Sequence, residues 1–225
     1  AAKYIATTCM EVYRDLSVYD TPTVCVMEVM GRHAGWLTAA TALASRAGEG
    51  PDLIYLPEVD FDLERFLADV GRACDARGHC FAAVSEGLHD HRGKLITEIA
   101  RGEGKKDAFG HKQLGGLAAV LSEAVKERWG FKVRGIELSL LQRCAAHCAS
   151  ATDVEEAILA GQAAVEQALA GESGKMVGFE REKDEAGRYR CGIRLFELTE
   201  VANLEKKLPL QWINAEGNGI KEPYF

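Results

Sequence analysis

Arg32 combines the residue type and the setting of a phosphate-binding group. It lies in the loop Met-Gly-Arg-His-Ala-Gly, residues 30–35, which interrupts an apolar run and precedes a helical pattern. Gly31 and Gly35 allow the backbone to turn sharply and to approach a ligand without interference from a Cβ atom. A guanidinium makes bidentate, charge-assisted bonds to phosphate oxygens. The alternative interpretation is a tight turn with a solvated arginine, and the loop alone fits both.

Glu86 and Arg143 are two further charged residues that each follow an apolar segment. Glu86 comes directly after Phe-Ala-Ala-Val-Ser, and Arg143 comes after Leu-Leu-Gln. A carboxylate in such a position can accept hydrogen bonds from hydroxyl groups, and an arginine can hold an anion. Each also has an ordinary interpretation. Glu86 would then be a solvated residue at a strand end, and Arg143 would bond to a nearby carboxylate at a helix start.

The segments around these candidates alternate between strand and helix patterns. Residues 24–29 have the β-branched, nearly continuous apolar content of a strand buried on both faces of a parallel sheet. Further strands are predicted over residues 53–56, 80–85, 131–141, 176–179 and 191–195, and helices over residues 3–15, 36–46, 61–77, 117–129 and 153–169. Residues 87–116 read as a long loop, and the chain from residue 209 as irregular. The alternation predicts an α/β fold, with a layered, mainly parallel sheet flanked by helices.

Composition restricts the class of protein. The 225 residues are 47% hydrophobic, which is enough to bury a sizeable core, and the net charge of −7 requires a local arginine cluster for any anionic ligand. The chain has no basic run, and its aromatic content is 8%, so nucleic-acid binding is not expected. We expect no membrane insertion and no secretion, because no apolar run of about eighteen residues and no signal peptide pattern are present. Seven cysteines in mostly apolar contexts indicate reduced thiols and a cytoplasmic location.

Four motifs, in the order of the chain, resemble those of 6-phosphofructokinases. They are Glu-Val-Met-Gly-Arg at residues 28–32, Pro-Asp-Leu-Ile-Tyr-Leu-Pro-Glu at 51–58, Phe-Ala-Ala-Val-Ser-Glu-Gly at 81–87 and Leu-Leu-Gln-Arg at 140–143. The similarity extends from about residue 3 to about residue 216. Cys-Ala-Ala after Arg143 and the segment at residues 107–116 are more similar to the pyrophosphate-dependent branch than to the ATP-dependent bacterial enzymes.

The resemblance implies roles for individual residues. Arg143 would bind the 6-phosphate of fructose 6-phosphate, Glu86 would bind the fructose hydroxyls, and Met30, Gly31 and Arg32 would hold the sugar near its reacting O1. Arg32 would also be catalytic, since positive charge near the transferred phosphoryl group stabilises its oxygens. The resemblance further implies a fructose 6-phosphate-binding domain at residues 1–143. Residues 144–225 would pack partly against a donor domain.

Arg134 resembles an arginine that in this family reaches from a neighbouring subunit to the same phosphate, nine residues before Arg143. A site completed in this way implies a homo-oligomer. One departure from the family pattern is Thr23, which stands where ATP-dependent bacterial enzymes have another cross-subunit arginine. Another cation would then be needed, and Lys112 and Lys206 are weak candidates.

The family's phosphoryl-donor motifs, a Gly-Gly-Asp loop and a Thr-Ile-Asp segment, do not occur in this sequence. We therefore expect the C-terminal, substrate-binding portion of an enzyme, without phosphotransferase activity by itself. Magnesium would be bound mainly by the donor half, and no metal ligand is assigned in this chain. The alternatives are an ATP-dependent 6-phosphofructokinase and a non-catalytic module that senses sugar phosphates.

Overall fold

A parallel sheet of four strands lies at the centre of the larger part of the chain. The computed structural model describes residues 1–101 and 116–224. The strands are β1 (Thr23–Val29), β2 (Leu53–Tyr55), β3 (His79–Ser85) and β4 (Lys132–Glu137), in the spatial order β2-β3-β1-β4. Every neighbouring pair is parallel. This sheet confirms the predicted α/β class with mainly parallel strands.

Helices cover both faces of the sheet. They are α1 (Ala2–Leu16), α2 (Trp36–Ala39), α3 (Leu63–Arg77), α4 (Ile96–Arg101), α5 (Leu117–Trp129) and α6 (Leu141–Cys144). The side chains of β1 alternate between two apolar clusters, so that Val24 and Val26 pack with α3 and α5. Cys25 and Met27 pack with α1 on the opposite face. Because both faces of β1 are covered, all seven of its residues are buried, as its apolar sequence predicts.

Two predicted boundaries are wrong. The helix expected over residues 36–46 is an α-helix only over Trp36–Ala39 and continues as a 3-10 helix over Ala40–Ala47. The strand expected over residues 131–141 ends at Glu137, because the chain then turns and the Leu141 amide donates to the Leu138 carbonyl at 3.2 Å. Residues 87–116 include α4, and the segment 107–115, with Lys112, lies outside the described residues.

Contacts divide the chain into two units. The first comprises Ala1–Ala145 and Lys207–Phe225, and the second comprises Ala146–Lys206. The later segment completes the first unit, since Leu208 and Ile213 are buried in a cluster with Ile54. The Ile54 amide donates to the Asn218 carbonyl at 2.8 Å, which covers the outer edge of β2. The predicted domain boundary at Arg143 concerns the intact protein and stays a prediction.

The second unit consists of one long helix and a hairpin. Its elements are α7 (Ala151–Leu169), β5 (Lys175–Lys183), β6 (Tyr189–Glu197) and α8 (Leu198–Val201). β5 and β6 pair in antiparallel fashion around a polar turn, and they contain the strands predicted over residues 176–179 and 191–195. Ser150 caps α7, because its Oγ accepts from the Asp153 amide at 3.3 Å.

Within the described ranges, no helix has both the length and the apolar character needed to cross a membrane.

Candidate functional site

A small pocket opens at the carboxyl end of the sheet in the first unit, beyond the ends of β1, β3 and β4. Its volume is about 80 Å³. The carboxyl ends of parallel strands are where open α/β sheets bind ligands. The pocket is lined mainly by Glu28, Met30, Glu86, Glu137, Ser139 and Gln142.

Two side chains hold the backbone of the loop that follows β1. The Gly31 amide donates to Glu86 Oε1 at 3.1 Å, and the Met30 amide donates to Gln142 Oε1 at 3.1 Å. Gln142 is only 1% exposed and its Nε2 donates to the Ser139 carbonyl at 2.9 Å. The loop is therefore fixed from the end of β3 and from α6 before any ligand binds. Such preorganisation lowers the cost of orienting a bound substrate.

The chain after β3 passes very close to this loop. A Cβ atom added at Gly87 would lie 1.7 Å from the Arg32 carbonyl oxygen, so no residue other than glycine fits there. The Gly87 amide donates to the Gly31 carbonyl at 3.2 Å, and the Ser85 hydroxyl donates to the same oxygen. These bonds bring Glu86 next to the loop.

Glu58 supports the same loop from the other end. The Gly35 amide, at the start of α2, donates to Glu58 Oε1 at 2.8 Å, and the Leu208 amide donates to that oxygen at 2.9 Å. A Cβ atom at Gly35 would lie 2.6 Å from Glu58 Oε2, so glycine permits this approach. Glu58 therefore joins the loop to the later segment of the first unit.

Glu28 is the most deeply buried carboxylate at the pocket, with 2% of its surface exposed. Burial raises the pKa of Glu28 to about 7. The Ala118 amide at the start of α5 donates to Glu28 Oε2 at 2.8 Å and opposes this rise in pKa, whereas the charges of Glu137 and Glu86 add to it. Near neutral pH this carboxyl group therefore exchanges between its ionised and protonated forms.

The structure brings most of the predicted site residues together. Met30 and Glu86 line the pocket, and Gly31 is bonded to Glu86. Arg32 is half-buried on the same loop. Arg143 is exposed on α6, directly after the pocket residue Gln142.

Arg134 lies away from this pocket in its own chain. Its guanidinium donates to the Tyr19 hydroxyl and lies 3.6 Å from Asp15 Oδ2, at a separate cavity between α1 and β4. Thr23 is the first residue of β1, at the strand end opposite to Gly31, and pairs in register with Lys132. Lys206 belongs to the second unit.

Four residues of this region were not predicted from the sequence: Gln142, Ser85, Glu58 and Glu28. Ser85 and Gln142 directly precede the predicted residues Glu86 and Arg143, and Glu58 ends one of the four motifs. The sequence does set Glu28 apart, because it is the one charged residue in a strand that is otherwise apolar apart from Thr23. A carboxylate in such a strand must be paired or protonated.

A doubly covered parallel sheet with a preorganised loop at its carboxyl edge defines a ligand-binding domain of the α/β class. The chain belongs to the phosphofructokinase family, since the family model described as phosphofructokinase matches residues 1–168.

Relatives of known name extend the match over nearly the whole chain. A pyrophosphate--fructose 6-phosphate 1-phosphotransferase of Methylococcus capsulatus is 44% identical over 98% of this chain and 52% of its own length. The protein of the same name from Halomonas elongata is 42% identical over the same shares. The crystal structure of a pyrophosphate-dependent phosphofructokinase from Marinobacter aquaeolei superposes with a TM-score of 0.81 at 38% identity, covering 99% of this chain and 52% of that one. The chain thus spans about half the length of these relatives.

Proposed function

We propose that this chain is the sugar-phosphate-binding part of a phosphofructokinase. The intact enzyme would transfer a phosphoryl group from pyrophosphate to O1 of fructose 6-phosphate, reversibly, as a step of glycolysis. The observation that carries this proposal is the convergence of the Met30 and Gly31 backbone, the Glu86 carboxylate and the Gln142 side chain at one pocket. The names of the relatives support pyrophosphate as the donor.

The proposed site residues would have different roles in binding. Arg143 would hold the 6-phosphate, because its exposed guanidinium can form two charge-assisted bonds to phosphate oxygens. Glu86 has lone pairs beyond the one that accepts from Gly31, so it would accept from fructose hydroxyls. Arg32 would stabilise the charge of the phosphoryl group during its transfer, and the fixed Met30–Gly31 backbone would set the position of O1.

The phosphoryl donor and Mg²⁺ would be bound by parts of the enzyme other than this chain. Among the described residues, no three His, Cys, Asp or Glu side chains are grouped so that they could hold a metal ion. The described residues therefore do not form a site for a resident Mg²⁺. We further propose a cytoplasmic enzyme that acts as a homo-oligomer.

The experiment compares this chain with the full-length protein in a coupled assay that contains fructose 6-phosphate and magnesium. The chain alone should remain at background with either pyrophosphate or ATP, whereas the full-length protein should turn over with pyrophosphate. Turnover with ATP alone would favour the ATP-dependent alternative. Binding of fructose 6-phosphate by the full-length protein without turnover on either donor would favour the non-catalytic sensing module. Rapid turnover by the isolated chain would contradict the requirement for a donor half.

A further inference from the structure

Glu28 has one carboxylate oxygen that the described part of the chain leaves without a partner. Oε2 accepts from the Ala118 amide, but Oε1 is buried and has no hydrogen-bond partner among the described residues. A buried acceptor without a partner costs free energy, and native proteins rarely keep one unless it has another role. Glu28 is one of the residues that line the pocket described above, so a ligand bound in the pocket would lie beside it.

The neighbours of Glu28 determine what kind of ligand group can approach. Glu137 stands in register with Glu28 on the adjoining strand, and Glu86 follows the strand on the other side. All three glutamates are lining residues of the pocket, and their negative charge would repel the phosphate end of a ligand. A hydroxyl group is neutral and can donate a hydrogen bond to an ionised carboxylate or accept one from a protonated carboxyl. The floor of the pocket therefore suits the hydroxyl-bearing end of a sugar phosphate.

We infer that Glu28 is a further substrate-binding residue, whose Oε2 holds the start of α5 while its Oε1 accepts a hydrogen bond from a hydroxyl of the bound sugar. This inference rests on the proposed function and adds a specificity-determining contact to it. Burial near Glu86 and Glu137 supports it, because a raised pKa indicates a carboxylate that gains from a new donor. The Glu28 side chain would then contact both the start of α5 and the bound sugar.

The test uses the full-length protein with the substitution Glu28→Gln, which keeps the shape but replaces the charged acceptor. The substrates are fructose 6-phosphate and three analogues that each lack one hydroxyl: 2,5-anhydro-D-mannitol 6-phosphate, 3-deoxyfructose 6-phosphate and 4-deoxyfructose 6-phosphate. We expect Glu28→Gln to raise the KM for fructose 6-phosphate about tenfold, the scale of a lost charge-assisted hydrogen bond. For the analogue without the contacted hydroxyl, the substitution should leave KM almost unchanged.

Two further variants make the outcome decisive. Glu28→Asp keeps the negative charge, but its shorter side chain moves the carboxylate oxygen away from the sugar. Its KM values should therefore change among the four substrates as those of Glu28→Gln do. Glu123→Gln removes an exposed carboxylate of α5 and should change none of the four KM values. Ratios between substrates within one preparation do not depend on the fraction of folded enzyme. An equal loss for all four substrates would show that Glu28 only holds α5 and would overturn the inference, as would no change in KM. Absence of turnover by the unmodified protein would instead contradict the proposed function.

Discussion

At the scale of single residues, the proposed site separates groups that bind from groups that act on the transferred phosphoryl. Arg143 is exposed and directly follows the buried Gln142. The Gln142 side chain accepts from the amide of Met30, the first residue of the loop after β1. Arg32 lies on that loop, and its carbonyl is in close contact with Gly87. The two arginines are thus carried by different elements, and their substitutions should have different kinetic effects.

Arg143→Ala in the full-length protein should weaken the apparent binding of fructose 6-phosphate by roughly 2–4 kcal/mol, the scale for losing a charge-assisted phosphate contact. Arg32→Ala should mainly lower kcat, because its contact would strengthen only as charge develops in the transition state. Steady-state kinetics with varied fructose 6-phosphate measure both effects. Arg128→Ala, which removes an exposed arginine at the far end of α5, is the matched control. An unchanged KM in Arg143→Ala would contradict the assignment of the 6-phosphate site.

At the scale of elements, Glu28 connects β1 with the start of α5 and makes that connection sensitive to pH. The folded state holds the Glu28 proton up to about pH 7, whereas the unfolded chain releases it near its ordinary pKa of 4.5. Between these values the folded state binds more protons, so stability from this group is present at the lower pH and is lost as pH rises through 7.

Glu28→Gln should remove this pH dependence. We expect the free energy of unfolding of this chain to fall by about 2 kcal/mol between pH 5 and pH 8, and the variant to lose most of that change. Urea unfolding followed by circular dichroism at pH 5, 6.5 and 8 measures it. Glu123→Gln, on the exposed side of α5, should retain the slope of the unmodified chain. If the free energy of unfolding changed equally with pH in all three proteins, the pKa of Glu28 would not be strongly raised in the folded state.

The elements that the sequence predicted well are those whose burial is uniform or strictly periodic. β1 is a run of buried residues, and the helix expected over residues 117–129 is present with the same limits. The 3-10 segment Ala40–Ala47 is rich in small residues that are mostly buried, so its pattern does not distinguish two kinds of helix. β4 ends early because Ser139 adopts a φ of 43°, which apolar content does not signal.

The candidate site was only partly predictable for a different reason. Motif order placed Met30, Gly31 and Glu86 at one edge of the sheet, where the structure has them. The bond between Met30 and Gln142 joins residues 112 positions apart, and the bond between Glu58 and Leu208 joins residues 150 positions apart. Contacts at such separation depend on the folded chain as a whole, and local patterns do not encode them.

At the scale of the whole molecule, the position of Arg134 bears on assembly. Its guanidinium contacts Tyr19 and Asp15 on the α1 side of β4 and takes no part in the pocket of its own chain. β4 is an edge strand of the sheet, and Arg134 is exposed on the surface. This placement supports the proposal that Arg134 completes the site of another subunit.

Mixed subunits of the full-length protein test that proposal. Arg134→Ala and Arg143→Ala homo-oligomers should each be impaired, whereas their mixture should regain part of the activity, because some shared sites then contain both arginines. Activity is measured after the two variants are dissociated and reassembled together, with mixing confirmed by differently tagged subunits. Arg128→Ala mixed with Arg143→Ala should give no recovery beyond the average of the two. If confirmed mixed oligomers of Arg134→Ala and Arg143→Ala also show no recovery of activity, Arg134 acts within its own chain or is only a surface charge.

The return of residues 207–225 to the first unit has a consequence for the order in which the protein folds during synthesis. The ribosome completes the second unit before it makes the segment that covers the edge of β2 and reaches Glu58. The nascent first unit therefore waits, with its outer strand and the apolar surface around Ile54 uncovered, while about sixty residues are added at roughly 5–20 residues per second. Chaperones that bind apolar segments would have several seconds to act on that edge.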